Sequence, residues 1–331
     1  MMVIFQRIKG KFIWYFCGGR ERAKEFAKQR ADNQLHCYDF PAENRGWKKY
    51  SSRPVYGNKN TGNVFDPYCF VYDDKIWMVV SARKNHVIDL LSSDDGIHWN
   101  QVRTLIKGVK KTWEKIVNRA CIIPVGDEWH LFYTGQCGSR SAIGHIVSND
   151  IMRFERPSGN QPVLVPTMPV EGVSVMNPCV VWNEKKQIFQ MWYSGGEQYE
   201  PDVILYAESR DGNVWKKYEK PVLEKLSDHP WEQCKIGGCD VKLKSDGTYE
   251  MYYIGYQNLD VARICYATSV DGLHWDRADD NLLIAPSKEY FDSDAVYKPA
   301  VVEYNNQQMM WYNGRKEVEE YIGLAIRIIN I

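Results

Sequence analysis

Five points along the chain carry polar or charged residues where an apolar run begins: Asp66, Asn118 with Arg119, Asn177, Cys239 with Asp240, and Lys298. The runs read DPYCFVY (66–72), RACIIPV (119–125), NPCVVW (177–182), CDVKLK (239–244) and KPAVVEY (298–304). Burying such groups without use is costly, so a set of them at one mouth marks a pocket. More carboxylates stand just upstream of these runs: Glu114, Glu171, Glu232, and Asp292 with Asp294. Two carboxyl groups, one protonated and one ionised, are what general acid–base chemistry requires. A carboxylate before nearly every run equally fits a structural feature repeated along the chain. Arg20, Arg83, Arg119 and Arg315, with Lys298 beside them, form a cationic set. Guanidinium forks match carboxylates and phosphates, so this set suits an anionic ligand.

The elements that must hold these residues recur in a fixed order. A strand with an aromatic centre and a small last residue is read six times: WYFCG (14–18), WMVVSA (77–82), LFYTG (131–135), MWYSG (191–195), MYYIG (251–255) and MWYNG (310–314). An apolar strand follows, as in VIDLLSS (87–93) or ICYATSV (264–270), then a tight turn and Trp: SSDDGIHW (92–99), SRDGNVW (209–215), SVDGLHW (269–275). SNDIMRF (148–154) is a degenerate copy. Hairpin signals such as YDDK and SDGT separate the first two strands of each unit. GWKKYSSRPV (46–55) matches VWKKYEKPV (214–222), so the N-terminal segment reads as a repeat as well.

The expectation is an all-β chain, one domain over residues 1–331. It is a β-propeller of four-stranded antiparallel blades, six by repeat count with five as the alternative. RERAKEFAKQRA (20–31) is the one stretch with helical character. The S-x-D-G-x-x-W turns read as staples: Ser and Asp cap the turn, Gly takes a positive φ, and Trp packs between blades. These turns share one face. The opposite face holds the longer loops, including SARKNH (81–86), SGGEQYEPD (194–202) and NGRKEVEE (313–320), and there a site is expected.

With 42 Lys plus Arg against 42 Asp plus Glu, the chain is not built to bind nucleic acid or a membrane surface generally. Nine Cys, mostly in apolar runs, read as reduced core thiols; Cys234 and Cys239 lack a second pair to complete a zinc pattern. Neither a metal nor a cofactor is expected. The N-terminal apolar stretch is broken by Gln6, Arg7, Lys9 and Lys11, and no run reaches the ~18 apolar residues of a membrane span. A cytoplasmic protein is expected.

Asp66-Pro67 opening an inner strand, the repeated M-W-Y-S-G strands and the S-x-D-G-x-x-W turns together resemble the propeller glycosidases. The nearest are glycoside hydrolase families 43 and 32 and the family 130 mannoside phosphorylases. Those families are five-bladed. The six-bladed sialidases are similar in their S-x-D-x-G-x-x-W turns, which 92–99 satisfies, and in gripping a carboxylate with arginines. The resemblance implies that Asp66 acts as base or nucleophile and that a later carboxylate acts as acid, with Glu171, Glu232 and Asp240 as candidates. It implies a carbohydrate substrate, anionic or used with phosphate, bound by Arg20, Arg83, Arg119, Asn177, Lys298 and Arg315, with Tyr199 and Tyr256 stacking on sugar faces. A mannoside-type phosphorylase and a non-catalytic glycan- or protein-binding propeller are the alternatives.

Overall fold

A computed structural model describes residues 38–196, 201–258 and 260–329, together with the backbone of 4–8 and 11–15. The stretch with helical character at 20–31, Arg20 and Tyr199 lie outside the described residues. Strands are numbered in chain order. β1 (Ile4–Ile8) and β2 (Lys11–Tyr15) form a hairpin of their own, and β3 is the short strand Lys48–Lys49.

Antiparallel meanders follow. The first sheet is β4 (Val64–Tyr72), β5 (Lys75–Ala82), β6 (Val87–Ser93) and β7 (Asn100–Lys107). The second is β8 (Ile116–Val125), β9 (Glu128–Cys137) and β10 (Arg140–Ser148), with a single bridge at Leu164 in the fourth place. The third is β11 (Ser174–Asn183), β12 (Ile188–Gly196), β13 (Pro201–Ser209) and β14 (Lys216–Lys217), joined to the second by a single parallel bridge between Ser141 of β10 and Ser174 of β11. The fourth is β15 (Lys235–Leu243), β16 (Tyr249–Tyr256), β17 (Ala262–Ser269) and β18 (Leu282–Ile284). The fifth is β19 (Ala295–Tyr304), β20 (Gln307–Lys316) and β21 (Glu319–Ile328), completed by β3.

Five such units are formed among the described residues, where the repeat count gives six. The physical reason is the fate of the WKKY segment. It does not finish an N-terminal unit; Lys48 and Lys49 pair with Ile326 and Ala325 of β21 and finish the last sheet. The first strands of the five sheets neighbour one another in the order β4, β8, β11, β15, β19, and β19 also packs on β4. Apolar layers fill the gaps. Trp192, Tyr249 and Met251 meet between the third and fourth sheets, and Met78, Met309 and Trp311 between the first and fifth. Each such side chain contributes about 1.5–3 kcal/mol by leaving water.

The turns staple neighbouring sheets as expected. Ser93 Oγ accepts the Gly96 N–H at 2.8 Å, and Asp95 accepts the amides of Ile97 and His98. The Gly96 carbonyl then takes the indole N–H of both Trp99 and Trp311, the latter from the adjoining fifth sheet. Gly96 sits at φ 75°, and a Cβ there would lie 2.7 Å from the Trp311 ring.

A second repeated device explains the upstream carboxylates. Glu114, Glu171, Glu232 and Asp292 accept the hydroxyls of Tyr133, Tyr193, Tyr253 and Tyr312 at 2.6, 2.9, 2.6 and 2.9 Å. A cation closes each clasp: Arg156 at 2.8 Å, Lys217 at 2.5 Å, Arg277 at 3.3 Å and Lys49 at 2.6 Å. The likeness of the two WKKY segments is thereby accounted for, since Lys49 and Lys217 do the same work. The glycine two residues after each tyrosine makes room. A Cβ on Gly135, Gly255 or Gly314 would stand within 2.9 Å of the clasp carboxylate's own Cβ. Burial alone would raise the Glu171 carboxyl, but Lys217 and the amides of Thr167 and Met168 outweigh it and hold that group below its ordinary value.

His130 and His145 lie buried between the second and third sheets, joined Nδ1 to Nε2 at 2.9 Å, with His145 stacked on Phe132 at 4.2 Å and His130 against Phe189 of β12. Burial pushes His145 down to about 4. A histidine depressed when folded stays neutral there while the unfolded chain takes up a proton, so stability is lost as pH falls from about 6.5 towards 4. The stability of wild type relative to His145→Gln, followed by urea unfolding, should shrink by about 1.4 kcal/mol for each pH unit crossed in that window.

No helix among the described residues is long and apolar enough to cross a membrane. The described cysteines are free thiols, and no cluster of three metal-ligating side chains occurs among the described residues.

Candidate functional site

The first strand of every sheet breaks register at the same depth. The skips fall at Phe65/Tyr68, Asn118/Cys121, Met176/Cys179, Ile236/Cys239 and Tyr297/Ala300. Each is a β-bulge, which bends a strand and re-aims a side chain. Four of the bulge residues adopt left-handed backbone: Asp66 at φ 56°, Arg119 at 53°, Asn177 at 55° and Lys298 at 51°. A non-glycine residue held there costs on the order of 1–3 kcal/mol, and such strain gathers at functional sites. The fourth sheet places Gly237 and Gly238 at its bulge, so its polar pair falls deeper in the strand.

Asp66, Arg119 and Asn177 line a cavity of about 380 Å³ at the end of the first strands. Asn118, Arg83, Gln136, Tyr297, Arg315, Asp260 and Glu320 share its wall. Asp66 is 5% exposed, and its amide donates to Asn313 Oδ1 at 2.6 Å. Burial raises its carboxyl above the ordinary aspartate value, Arg119 and Lys298 pull it back, and Glu320 adds to the rise. The nearest cationic atom, Arg119 Nε, stands 3.9 Å from Asp66 Oδ2.

Glu320 is the second buried carboxylate of this wall. It pairs with Arg83 Nη2 at 3.0 Å and accepts the Tyr297 hydroxyl at 2.9 Å. Arg83 lies over the Phe65 ring at 4.8 Å. Arg315 donates to the Asp260 carbonyl. Tyr256 also lines the cavity but is largely buried rather than displayed on a loop.

Other residues singled out in the sequence lie elsewhere. Glu171 and Glu232 sit in the clasps described above, fully buried and away from the cavity wall. Asp240 Oδ2 accepts the Val301 amide at 2.6 Å and Oδ1 meets Lys242 at 3.0 Å, tying the fourth sheet to the fifth. Lys298 is buried and not part of the cavity wall, its ammonium donating to the Cys239 carbonyl at 3.4 Å. Asp292 closes a clasp, and Asp294 accepts the Glu317 amide at 2.6 Å. Sequence reasoning missed Glu320, although its signal was present. It ends the NGRKEVEE loop, and the short turn after Lys316 pairs it with Arg315 at the mouth.

The comparisons with known proteins agree with this architecture. Residues 7–116 match the family model of the glycosyl hydrolases family 32 N-terminal domain. Over 227 residues, 63% of this chain and 71% of the relative, the chain is 29% identical to an uncharacterized protein, MT1551, of Mycobacterium tuberculosis. Among solved structures, one described as a glycoside hydrolase superposes with a TM-score of 0.70 at 17% identity, covering 89% of this chain and 94% of that one. A structure described as showing that the GH130 family of mannoside phosphorylases contains glycoside hydrolases that target β-1,2 mannosidic linkages in Candida mannan superposes with a TM-score of 0.66 at 13% identity, covering 84% and 93%. At these identities the superpositions establish the fold.

Proposed function

We propose that this chain, a member of the propeller glycosidase superfamily, is an enzyme acting on a glycan or glycoside that bears an anionic group. The five sheets are read as the blades of one closed propeller, with β3 closing the last blade. The observation that carries the proposal is the placement of Asp66: a buried carboxyl on a strained bulge, in one cavity with Glu320. A carboxyl that burial raises above its ordinary value keeps its proton to higher pH than a free aspartate, which suits a group that exchanges a proton with the glycosidic oxygen or with water. Asp66 is therefore the proton-transferring group. Glu320 replaces Glu171, Glu232 and Asp240 as the second carboxylate that cleavage of a glycosidic bond requires. Arg119 lies at the cavity wall with no carboxylate closer than 3.9 Å among the described residues, which favours an anionic substituent on the sugar.

A turnover screen on anionic and neutral glycosides, with and without inorganic phosphate, tests this. Release of sugar without phosphate supports hydrolysis, and strictly phosphate-dependent release supports the mannoside-type phosphorylase. Binding without turnover in either condition supports a non-catalytic propeller, a second reading favoured by the engagement of Glu320 with Arg83. Arg119→Ala should lower affinity for an anionic glycan by about 10- to 100-fold, as expected for losing a hydrogen bond to a charged group. Its affinity for the neutral analogue should barely change in calorimetry; equal losses for both would remove the anionic assignment.

A further inference from the structure

The bulges are not held alike. The residue paired just before each bulge, on the second strand of the same sheet, is Ser81, Thr134, Ser194, Gly255 or Asn313 in sheets one to five. Three of these reach across to the bulge of the next sheet and accept its backbone amide. Ser81 Oγ takes the Arg119 N–H at 2.9 Å, Thr134 Oγ1 the Asn177 N–H at 3.1 Å, and Asn313 Oδ1 the Asp66 N–H at 2.6 Å. All three acceptors are buried, Ser81 at 1% and the other two at 0% exposure.

Of the remaining two, Ser194 accepts the side-chain amide of Asn177, and Gly255 has no side chain to offer. Among the described residues, no side chain accepts the amide of Gly237 or of Lys298. The clasped bulge residues are the three that line the cavity, and the two left unclasped do not line it. A device needed only to hold the sheets together would have no reason to follow the cavity.

We infer that Asn313, Ser81 and Thr134 are positioning residues. Each fixes one strained bulge of the neighbouring sheet, so that Asp66, Arg119 and Asn177 present their side chains to the cavity. Ser81 joins two of them, since its hydroxyl also stands 3.4 Å from Asp66 Oδ2. This inference rests on the proposed function for what the positioning serves, but the positioning can be read without it.

The test uses the full chain labelled with carbon-13 in its aspartate carboxyls. Asn313→Ala should move the titration midpoint of Asp66 down towards the ordinary aspartate value, because the freed bulge lets the carboxyl turn to solvent, whereas Ser81→Ala, which frees the Arg119 bulge and removes a hydroxyl donor beside Asp66 Oδ2, should move it up. Ser141→Ala, which removes an equally buried hydroxyl bonded to the Val175 carbonyl outside the cavity, should leave it in place. Thr134→Val should weaken glycan binding about tenfold, and Thr134→Ser, which keeps the acceptor, should restore it. If Asn313→Ala does not fold, Asn313→Ser, whose oxygen is too short to reach, takes its place. An unmoved Asp66 midpoint in the folded variants overturns the inference. If wild type neither binds nor cleaves any glycan, the proposed function fails while the titration still decides the positioning.

Discussion

Replacing Asp66 by Asn should lower turnover by about 10²–10⁴-fold, the range carried by a proton-transferring side chain. Thermal stability at neutral pH should hold or rise. The sign follows from the carboxyl of Asp66, which is raised above its ordinary 3.8. The folded state holds that proton more tightly than the unfolded chain does. Asp66 therefore costs stability above its folded pKa, and the cost disappears as pH falls through it. The amide removes the cost and keeps the shape. Steady-state kinetics beside calorimetric melting separates the two effects. Unchanged turnover, or a large fall in melting temperature, would contradict the role given to this residue.

Glu171→Ala should do the reverse, destabilising by about 3–5 kcal/mol because it strips the largely buried Lys217 of its anionic partner, leaving the ammonium only the Val165 carbonyl and the Thr167 hydroxyl, and strips the buried Tyr193 hydroxyl of its acceptor. For a chain of this size that is a fall of about 5–10 °C in melting temperature. Turnover per folded molecule should stay near wild type. The Glu171 carboxyl is held below its ordinary 4.5, so its contribution is present above that pH and is lost as pH falls through the lower, folded value. The stability gap between wild type and variant should close at low pH. Denaturant melts at two pH values measure it, and loss of turnover with stability intact would return Glu171 to the catalytic candidates.

Much of the fold was legible because its devices are local. Strand alternation, the S-x-D-G-x-x-W turn and the aromatic strand ending in glycine are each set within a few residues. Which unit a segment completes is not local. The WKKY segment near the N-terminus carries the right pattern and belongs to the last sheet, so counting patterns gave six, with five as the alternative, and five are formed among the described residues. The cavity wall was legible where residues break the repeat at its strained point, as at Asp66, Arg119 and Asn177. Counting along the chain misplaced the fourth unit's polar pair, because the bulge there is made of glycines and Asp240 falls below it. Glu320 was hidden by its place on a third strand; only pairing with Arg315 brings it to the mouth. Glu171 and Glu232 show the converse: a carboxylate recurring in nearly every unit accepts a tyrosine hydroxyl of its own sheet.

The most direct measurement is a crystal structure of the Asp66→Asn variant with a glycan that wild type binds. The glycosidic oxygen should lie in the cavity within hydrogen-bond reach of residue 66, with Glu320 on the other side of the linkage and Arg119 against the anionic group. A glycan seated outside this cavity, or inside it with both carboxylate positions turned away from the linkage, would contradict the proposed chemistry.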